Sequence, residues 1–292
     1  MSIEPDIPSP DAVIKPPRER APAGAIDCHA HVFAAPDAHY LSPNRAYTPP
    51  EATLASYQAM LASLGIQRGV IVQPSLYGTV NDCSREAVEA MGDNGRGVAV
   101  IDQNVAEAEL QRLHQAGFRG TRFNFVTDGG IDLRELEAVA ERIKDLGWHI
   151  QCFIDRHTLL ELLPRLKTLE VDLVFDHLGQ PDPQGGIDQP SFRALRDMLA
   201  GGRAWTKISG AYRVDHAGAP WPIADQFAEC LVREAPDRLL WGSDWPHPHI
   251  DPSPMPNDGD LFNRLLAWTP DEAVRKKILV DNPSRLYDFG PV

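Results

Sequence analysis

The chain has 292 residues, of which 43% are hydrophobic and 24% charged, and its formal net charge is −13. This composition is typical of a soluble globular protein with a large core. It argues against binding to nucleic acid, because no run of Lys or Arg is long enough to follow a phosphate backbone, and no apolar stretch reaches the roughly 18 residues of a membrane helix.

The N-terminal segment, MSIEPDIPSPDAVIKPPRERAPAG, is rich in proline and lacks the apolar core of a signal peptide. We expect an extended or disordered arm at residues 1–24, followed by a single domain at residues 25–292. No C-x-x-C pair occurs among the cysteines, which are Cys28, Cys83, Cys152 and Cys230. Unpaired thiols of this kind are typical of a reducing compartment, so the sequence predicts a cytoplasmic protein.

Eight short runs of apolar or β-branched residues follow the arm in chain order. They predict strands at residues 25–33, 68–75, 96–102, 118–125, 148–155, 171–179, 204–212 and 238–246. Helical patterns lie between them, at residues 51–65, 105–117, 132–147, 157–169, 190–200, 223–235 and 269–279. Gly65 and Gly147 suit helix C-termini, and Thr269 is predicted to cap the last helix.

Alternation of strands with helices indicates parallel strands joined by helical crossovers. Eight such units in a chain of this length predict an α/β protein with a (β/α)₈ TIM barrel as its single domain. A doubly wound sheet is the alternative, but the first strand ends in His-x-His-Val-Phe, without the G-x-G-x-x-G turn that such sheets usually carry. In a barrel, active sites are built on the C-terminal face of the strands.

The first strand, AIDCHAHVF, carries two histidines, His29 and His31. Because side chains alternate between the two faces of a strand, we expect these histidines to share one face, with Cys28 and Ala30 on the other. A lone histidine of this kind is usually a hydrogen-bonded core residue. Two on one face of one strand favour a functional pair.

Further polar groups lie at the ends of other predicted strands. They are Arg122 and Asn124 on strand 4, Asp176 and His177 at the end of strand 6, Lys207, Ser209 and Arg213 on or after strand 7, and Asp244 on strand 8. A barrel would bring them to one pocket. A carboxylate beside imidazoles can act as a general base toward water, and arginines bind carboxylates or sulfonates. With no G-x-S-x-G nucleophile, the set predicts hydrolysis of an ester-like bond in a small anionic molecule.

Five segments of the chain resemble the 2-pyrone-4,6-dicarboxylate lactonase group of the amidohydrolase superfamily. They are AIDCHAHVF, VIVQPSLYGTVN, GTRFNF, FDHLGQPD and LLWGSDWPHP, and the likeness runs from about Gly24 to Tyr287. The resemblance implies a (β/α)₈ barrel that hydrolyses a lactone in the breakdown of aromatic compounds. Related members act on muconolactones, including a sulfonated one, and on sugar-acid lactones.

The resemblance also implies residue roles, carried over position by position. Asp244 would take a proton from water, while His29, His31 and His177 would polarise the lactone carbonyl. The residues implied for substrate binding are Arg122, Arg213, Tyr47, Ser75 and His249.

The chain departs from the pyrone-dicarboxylate enzyme at three substrate-binding positions. Residues 126–130 lack its second arginine, Phe153 stands where it has a tyrosine, and Gln180 stands where it has an arginine. Loss of two cationic donors and a phenol is expected to weaken dicarboxylate binding. A muconolactone, a sulfonated muconolactone or a sugar-acid lactone therefore suits this chain better than a pyrone dicarboxylate, and the leading expectation is a muconolactone-like acid such as 4-sulfomuconolactone.

The cofactor stays open at this stage. His29, His31, His177 and Asp244 form a donor set for one Zn²⁺, whereas strands 4 and 5 supply no Lys or His for a second metal. Resemblance to the pyrone lactonase implies catalysis without a metal, and resemblance to the sulfomuconolactone enzyme implies zinc. Alternative functions are a sugar-acid lactonase, a metal-dependent aromatic-acid decarboxylase, or a binding protein without activity. The intact histidine and aspartate set argues against the last.

Overall fold

The computed structural model describes residues 6–35, 40–42, 45, 47–126, 131–248 and 254–291. Its centre is a sheet of eight parallel strands, each paired with the next along the chain. The strands are β1 (Ile26–Ala30), β2 (Arg68–Val72), β3 (Gly95–Ala99), β4 (Phe118–Asn124), β5 (His149–Phe153), β6 (Leu173–Phe175), β7 (Ala204–Lys207) and β8 (Leu239–Leu240). Each lies within or overlaps a predicted strand, and the (β/α)₈ barrel is confirmed.

Helices cover the outside of the barrel. They are α1 (Leu54–Leu64), α2 (Asp82–Met91), α3 (Glu107–Gln115), α4 (Leu136–Ile143), α5 (Arg156–Leu166), α6 (Pro190–Ala200), α7 (Ala211–Val214), α8 (Pro222–Glu234), α9 (Asp258–Trp268), α10 (Glu272–Lys276) and α11 (Asn282–Tyr287). None of those described is long and apolar enough to cross a membrane.

Two of the predicted helix ends illustrate how local sequence acts. Gly65 follows α1 with φ 85°, the left-handed conformation that glycine adopts without steric cost. The prediction that Thr269 caps the last helix is wrong: Asp271 accepts the N–H groups of Ala273 and Val274. The hydroxyl of Thr269 instead donates to the carbonyl of Leu265, because the preceding helix α9 extends to Trp268.

The barrel closes through the segment after β8 rather than through β8 itself, which has two residues. The carbonyls of Trp241 and Trp245 accept the N–H groups of Cys28 and His31, and the Asp244 N–H donates to the carbonyl of His29. Closure therefore carries Asp244 past the strand-1 histidines.

The barrel interior is divided by polarity along its axis. Its apolar part consists of Ile26, Cys28, Val70, Val72, Val98, Val174, Trp205 and Leu240, packed with Tyr287 and Phe289 near the C-terminus. The polar side chains of Gln151, Lys207, Asp176 and His29 are buried together at the carboxyl-terminal part of the strands. The fold thus places charged groups where parallel barrels bind ligands.

Residues 6–24 contain no helix or strand and lie against α9 and the end of α1. The Lys15 N–H donates to Oδ1 of Asn257 at 2.9 Å, and the Arg18 N–H donates to Oδ1 of Asn263 at 2.8 Å. The Ala21 N–H donates to the carbonyl of Leu64. The boundary between an arm and the barrel at residue 25 stays a prediction.

Candidate active site

His29 in β1 and His31, which directly follows the strand, face the barrel interior because the strand is irregular. From Asp27 to Ala30, β1 advances three residues while β2 advances two, from Gly69 to Ile71, which is the signature of a β-bulge. The expectation that Cys28 lies on the face opposite His29 is therefore wrong, since Cys28 packs in the interior apolar cluster. Ala30 packs in the apolar cluster that includes residues of the surrounding helices, on the face opposite His29, as expected.

Hydrogen bonds hold both imidazoles in place. Nδ1 of His31 donates to the carbonyl of Val72 at 2.7 Å, so Nε2 of the neutral ring is an acceptor. Nε2 of His29 lies 3.3 Å from that nitrogen. Nδ1 of His29 lies 3.1 Å from Nζ of Lys207 and 3.2 Å from Oδ1 of Asp176.

The third histidine, His177, follows β6 with a φ of 50°. Its Nδ1 lies 3.0 Å from Oγ of Ser209. A Cβ at Gly210 would lie 2.9 Å from the same Nδ1, so the close approach of this turn requires glycine. Nε2 of His177 points to Asp244, 3.8 Å from its Oδ2.

Asp244 is fully buried and has a φ of 64°, in the left-handed region that non-glycine residues rarely adopt. Its Oδ2 accepts hydrogen bonds from the hydroxyl of Tyr212 and from Nε of Arg213, each at 2.5 Å. Its Oδ1 accepts no hydrogen bond from any described residue and lies 3.6 Å from Nε2 of His29. One carboxylate oxygen is thus anchored while the other faces the imidazoles.

Charge and burial set the protonation states of the cluster. Burial alone would raise the pKa of Asp244, but the guanidinium of Arg213 and the imidazoles of His177 and His29 lower it well below its usual range. Burial lowers the pKa of His31 to about 3 and that of His177 to about 4. Burial and the neighbouring Lys207 also lower the pKa of His29. At neutral pH the site therefore contains an ionised aspartate among neutral imidazoles.

Two arginines flank the cluster. Nε of Arg122 lies 3.3 Å from Oδ2 of Asp176, and both Arg122 and Arg213 lie over the ring of Phe153, at 5.2 and 5.8 Å from its centroid. The ring of Phe153 in turn meets His177 edge to face. The two guanidinium groups thus share one aromatic surface beside Asp244, a geometry suited to an anionic ligand.

The structure describes two of the three remaining predicted pocket residues. Tyr47 is buried near both arginines: burial raises the pKa of its hydroxyl, and their positive charges oppose that rise. Ser75 is buried in the short turn that follows β2, at the same end of the barrel. His249 lies outside the described residues.

Three further residues support Asp244 and were not singled out from the sequence. The hydroxyl of Tyr212 lies 3.3 Å from Nδ1 of His247, whose Nε2 is 3.2 Å from Oδ1 of the buried Asp258. His247 comes three residues after Asp244 in the sequence, and it is buried. Tyr212 and Asp258 carry no signal in the sequence, because α7 and the start of α9 bring them to the site.

The donor set fits a single zinc ion. Ligand atoms of His29, His177 and Asp244 lie within 4.8 Å of one another. Ligands at about 2.1 Å from a tetrahedral Zn²⁺ are about 3.4 Å apart. The separations of Nε2 of His29 from Nε2 of His31 and Oδ1 of Asp244, 3.3 and 3.6 Å, are close to this value. The buried Oδ1 of Asp244, which accepts no hydrogen bond from the described chain, would gain a partner.

The sequence is similar to those of known proteins over nearly its whole length. The amidohydrolase family profile matches residues 26–289. A 4-sulfomuconolactone hydrolase of Rhizobium radiobacter is 38% identical over 270 residues, covering 91% of this chain and 90% of that protein. A 2-pyrone-4,6-dicarboxylate hydrolase of Comamonas testosteroni is 38% identical over 283 residues, covering 93% and 92%. A D-galactarolactone isomerase of Agrobacterium fabrum is 32% identical over 284 residues, covering 94% and 95%.

Solved structures match over the same range. An apo structure of an Agrobacterium tumefaciens protein superposes with a TM-score of 0.85 at 32% identity, covering 94% of this chain and all of that one. A probable 2-pyrone-4,6-dicarboxylic acid hydrolase from Acinetobacter baumannii, with citric acid bound, superposes with a TM-score of 0.80 at 30% identity, covering 91% and 100%.

Proposed function

The chain belongs to the amidohydrolase family, and we propose that within it this protein is a hydrolase that opens the lactone ring of a small anionic acid in aromatic-compound degradation. The observation that carries the proposal is the position of Asp244, whose Oδ1 faces His29 while Oδ2 is anchored by Tyr212 and Arg213. Two relatives at 38% identity are named as lactone hydrolases. Its place of action would be the cytoplasm.

The proposed reaction uses water as the nucleophile. The water oxygen attacks the lactone carbonyl carbon, and one of its protons passes to Oδ1 of Asp244. The imidazoles of His29 and His177 stabilise the negative charge that develops on the carbonyl oxygen, whereas His31, whose Nε2 is an acceptor, contacts Nε2 of His29. When the ring C–O bond breaks, the proton on Asp244 passes to the departing oxygen, and the product is an open-chain hydroxy acid.

We further propose that Arg122 and Arg213 bind the anionic group of the substrate, with Tyr47, Ser75 and His249 around it. The overall charge of −13 repels anions, so local guanidinium groups must provide the attraction. Phe153 supplies no hydrogen bond where a tyrosine would, which favours a substrate with fewer carboxylates than a pyrone dicarboxylate. We infer that 4-sulfomuconolactone or a similar muconolactone is the substrate.

A single Zn²⁺, if bound, would be held by His29, His177 and Asp244, whose ligand atoms lie within 4.8 Å of one another, with His31 as the proposed fourth ligand. The ion would supply a Lewis acid there. Elemental analysis of protein purified without added metal, combined with activity before and after chelation, tests this assignment. Full activity in a metal-free sample would contradict it.

The direct test is a panel of lactones: 4-sulfomuconolactone, muconolactone, 2-pyrone-4,6-dicarboxylate and a sugar-acid lactone. We expect ring opening of a muconolactone by the wild-type protein. In Asp244→Asn we expect a loss of about 10²–10⁴-fold in kcat, since an amide cannot accept the proton. Asp145→Asn, at an exposed position beyond α4, is the matched control and should retain activity.

The panel also separates the alternative functions. Preferred turnover of the sugar-acid lactone would support a function like that of the Agrobacterium fabrum relative, and isomerisation without ring opening would contradict hydrolysis. Release of CO₂ from an aromatic acid would indicate a decarboxylase.

A further inference from the structure

A buried lysine inside the barrel contacts His29 of the candidate active site. Lys207 lies at the end of β7, and its side chain and that of Asp176 are both 0% exposed. Its Nζ donates to Oε1 of Gln151 at 2.7 Å and lies 3.3 Å from Oδ1 of Asp176. The third neighbour of Nζ is Nδ1 of His29, at 3.1 Å. An ammonium group has three hydrogens and no lone pair, so Nζ can act only as a donor toward these atoms.

This contact favours one tautomer of His29. A hydrogen bond from the ammonium to Nδ1 requires a lone pair on Nδ1, and therefore the proton of the neutral ring on Nε2. The neighbouring contact agrees, because Nδ1 of His31 donates to the carbonyl of Val72 and leaves its Nε2 as an acceptor, 3.3 Å from Nε2 of His29. A directional chain of hydrogen bonds therefore runs from Lys207 through His29 and His31 to Val72.

We propose that Lys207 is a positioning residue that holds the proton of His29 on Nε2, directs an N–H donor into the pocket, and thereby opposes metal binding there. A metal ligand needs a lone pair on Nε2, and the proton of the ring then moves to Nδ1. Oδ1 of Asp176, 3.2 Å away, would accept that proton, but the ammonium of Lys207 would then face an N–H group. Lys207 and Asp176 thus stabilise opposite tautomers of His29.

The consequence concerns how the proposed lactone hydrolase polarises its substrate, and it rests on that function. With the proton on Nε2, His29 acts as a hydrogen-bond donor, to Nε2 of His31 in the free protein and to the carbonyl oxygen when substrate is bound. Without Lys207, the same residues form a zinc site in which Asp176 orients His29. Lys207 therefore decides whether the negative charge on the carbonyl oxygen is stabilised by a hydrogen bond from His29 or by a zinc ion bound to the same side chains.

The first test measures zinc affinity, which needs no turnover. Lys207→Met removes the ammonium and keeps an unbranched side chain, and we expect its affinity for Zn²⁺, measured by competition with a chromophoric chelator, to rise by about tenfold or more. The matched control is Arg122→Met, which removes one positive charge paired with the same Asp176 without contacting His29. An equal rise in Zn²⁺ affinity in both variants would show that only the loss of positive charge matters, and it would overturn the proposal. An unchanged affinity in Lys207→Met would also overturn it.

The second test uses the unmodified protein, so it stands even if Lys207→Met does not fold. Long-range ¹H–¹⁵N correlation spectra of ¹⁵N-histidine-labelled protein report the tautomer of each ring, and the His29→Gln spectrum assigns the His29 signals. We expect Nε2 of His29 to be protonated and Nδ1 unprotonated in metal-free protein. A proton on Nδ1 would refute the inference. Neither readout depends on a lactone, so failure of the proposed function would be seen separately, in the substrate panel.

Discussion

At the scale of single residues, the site depends on the different hydrogen bonding of the two carboxylate oxygens of Asp244. Oδ2 accepts from Tyr212 and Arg213, which fixes the orientation of the carboxylate. Oδ1 accepts no hydrogen bond from the described chain, so it can receive a proton from water. The guanidinium that orients the base also weakens it, because burial raises the pKa of Asp244 and Arg213, together with His177 and His29, more than reverses that rise.

This balance predicts the behaviour of Arg213→Met. Removal of the guanidinium raises the pKa of Asp244, so the acid limb of the kcat profile should move toward neutral pH, where we expect the wild-type profile to be flat. KM for the anionic lactone should also rise. The measurement is kcat and KM from about pH 5 to about pH 8.

Arg122→Met is the control for this prediction, since Arg122 pairs with Asp176 rather than with Asp244. It should raise KM and leave the acid limb in place. Coincident profiles for the wild type and Arg213→Met would show that Arg213 does not control the base.

At the scale of elements, the site exists because β1 and the segment after β8 run side by side. Asp27 joins them: its carboxylate accepts the N–H and the hydroxyl of Ser243, the N–H of His29 and the hydroxyl of Tyr57. Gly242 allows this approach, since a Cβ there would lie 2.6 Å from Cβ of His29 and 2.8 Å from its backbone nitrogen. The contacts that close the barrel therefore also position His29.

We expect Gly242→Ala to destabilise the protein by about 1–3 kcal/mol, the usual cost of an overpacked core, and to reduce activity by displacing His29. Chemical denaturation and kcat measure the two effects. Gly290→Ala is the matched control, because a Cβ at Gly290 would meet no atom within 4 Å. A wild-type midpoint for Gly242→Ala would mean that the strands can separate without cost.

At the scale of the whole molecule, the barrel buries histidines in their neutral form. Burial lowers the pKa of His31 and His149 to about 3 and that of His177 to about 4, from 6.5. The unfolded chain therefore binds protons below about pH 6.5 that the folded chain does not, and the free energy of unfolding falls as the pH falls toward 4. Asp27 opposes this trend, since burial raises its pKa to about 6, but it is one group against these three and His29, whose pKa is also lowered.

The variant that isolates this effect lies away from the site. His149 starts β5, both of its ring nitrogens lack hydrogen-bond partners in the described chain, and its ring contacts Tyr287 edge to face. In His149→Leu, the fall in the free energy of unfolding between pH 6.5 and pH 4 should be smaller, by up to about 1.4 kcal/mol for each pH unit. Urea denaturation at several pH values measures it. His157→Gln, at an exposed position in α5, should keep the wild-type slope.

Much of this protein follows from its sequence, because the features involved are local. Strand and helix periods depend on neighbouring residues, and they predicted all eight strands and the barrel; His29, His31, His177, Asp244, Arg122 and Arg213 follow from their positions at strand ends. The tertiary structure decided what depends on distant contacts. The bulge in β1, the support of Asp244 by Tyr212, and the contact of Lys207 with His29, 178 residues apart, arise when the barrel closes. Alternation along one strand carries no information about which residue of another strand it will meet, and the proton on His29 is set by such a contact.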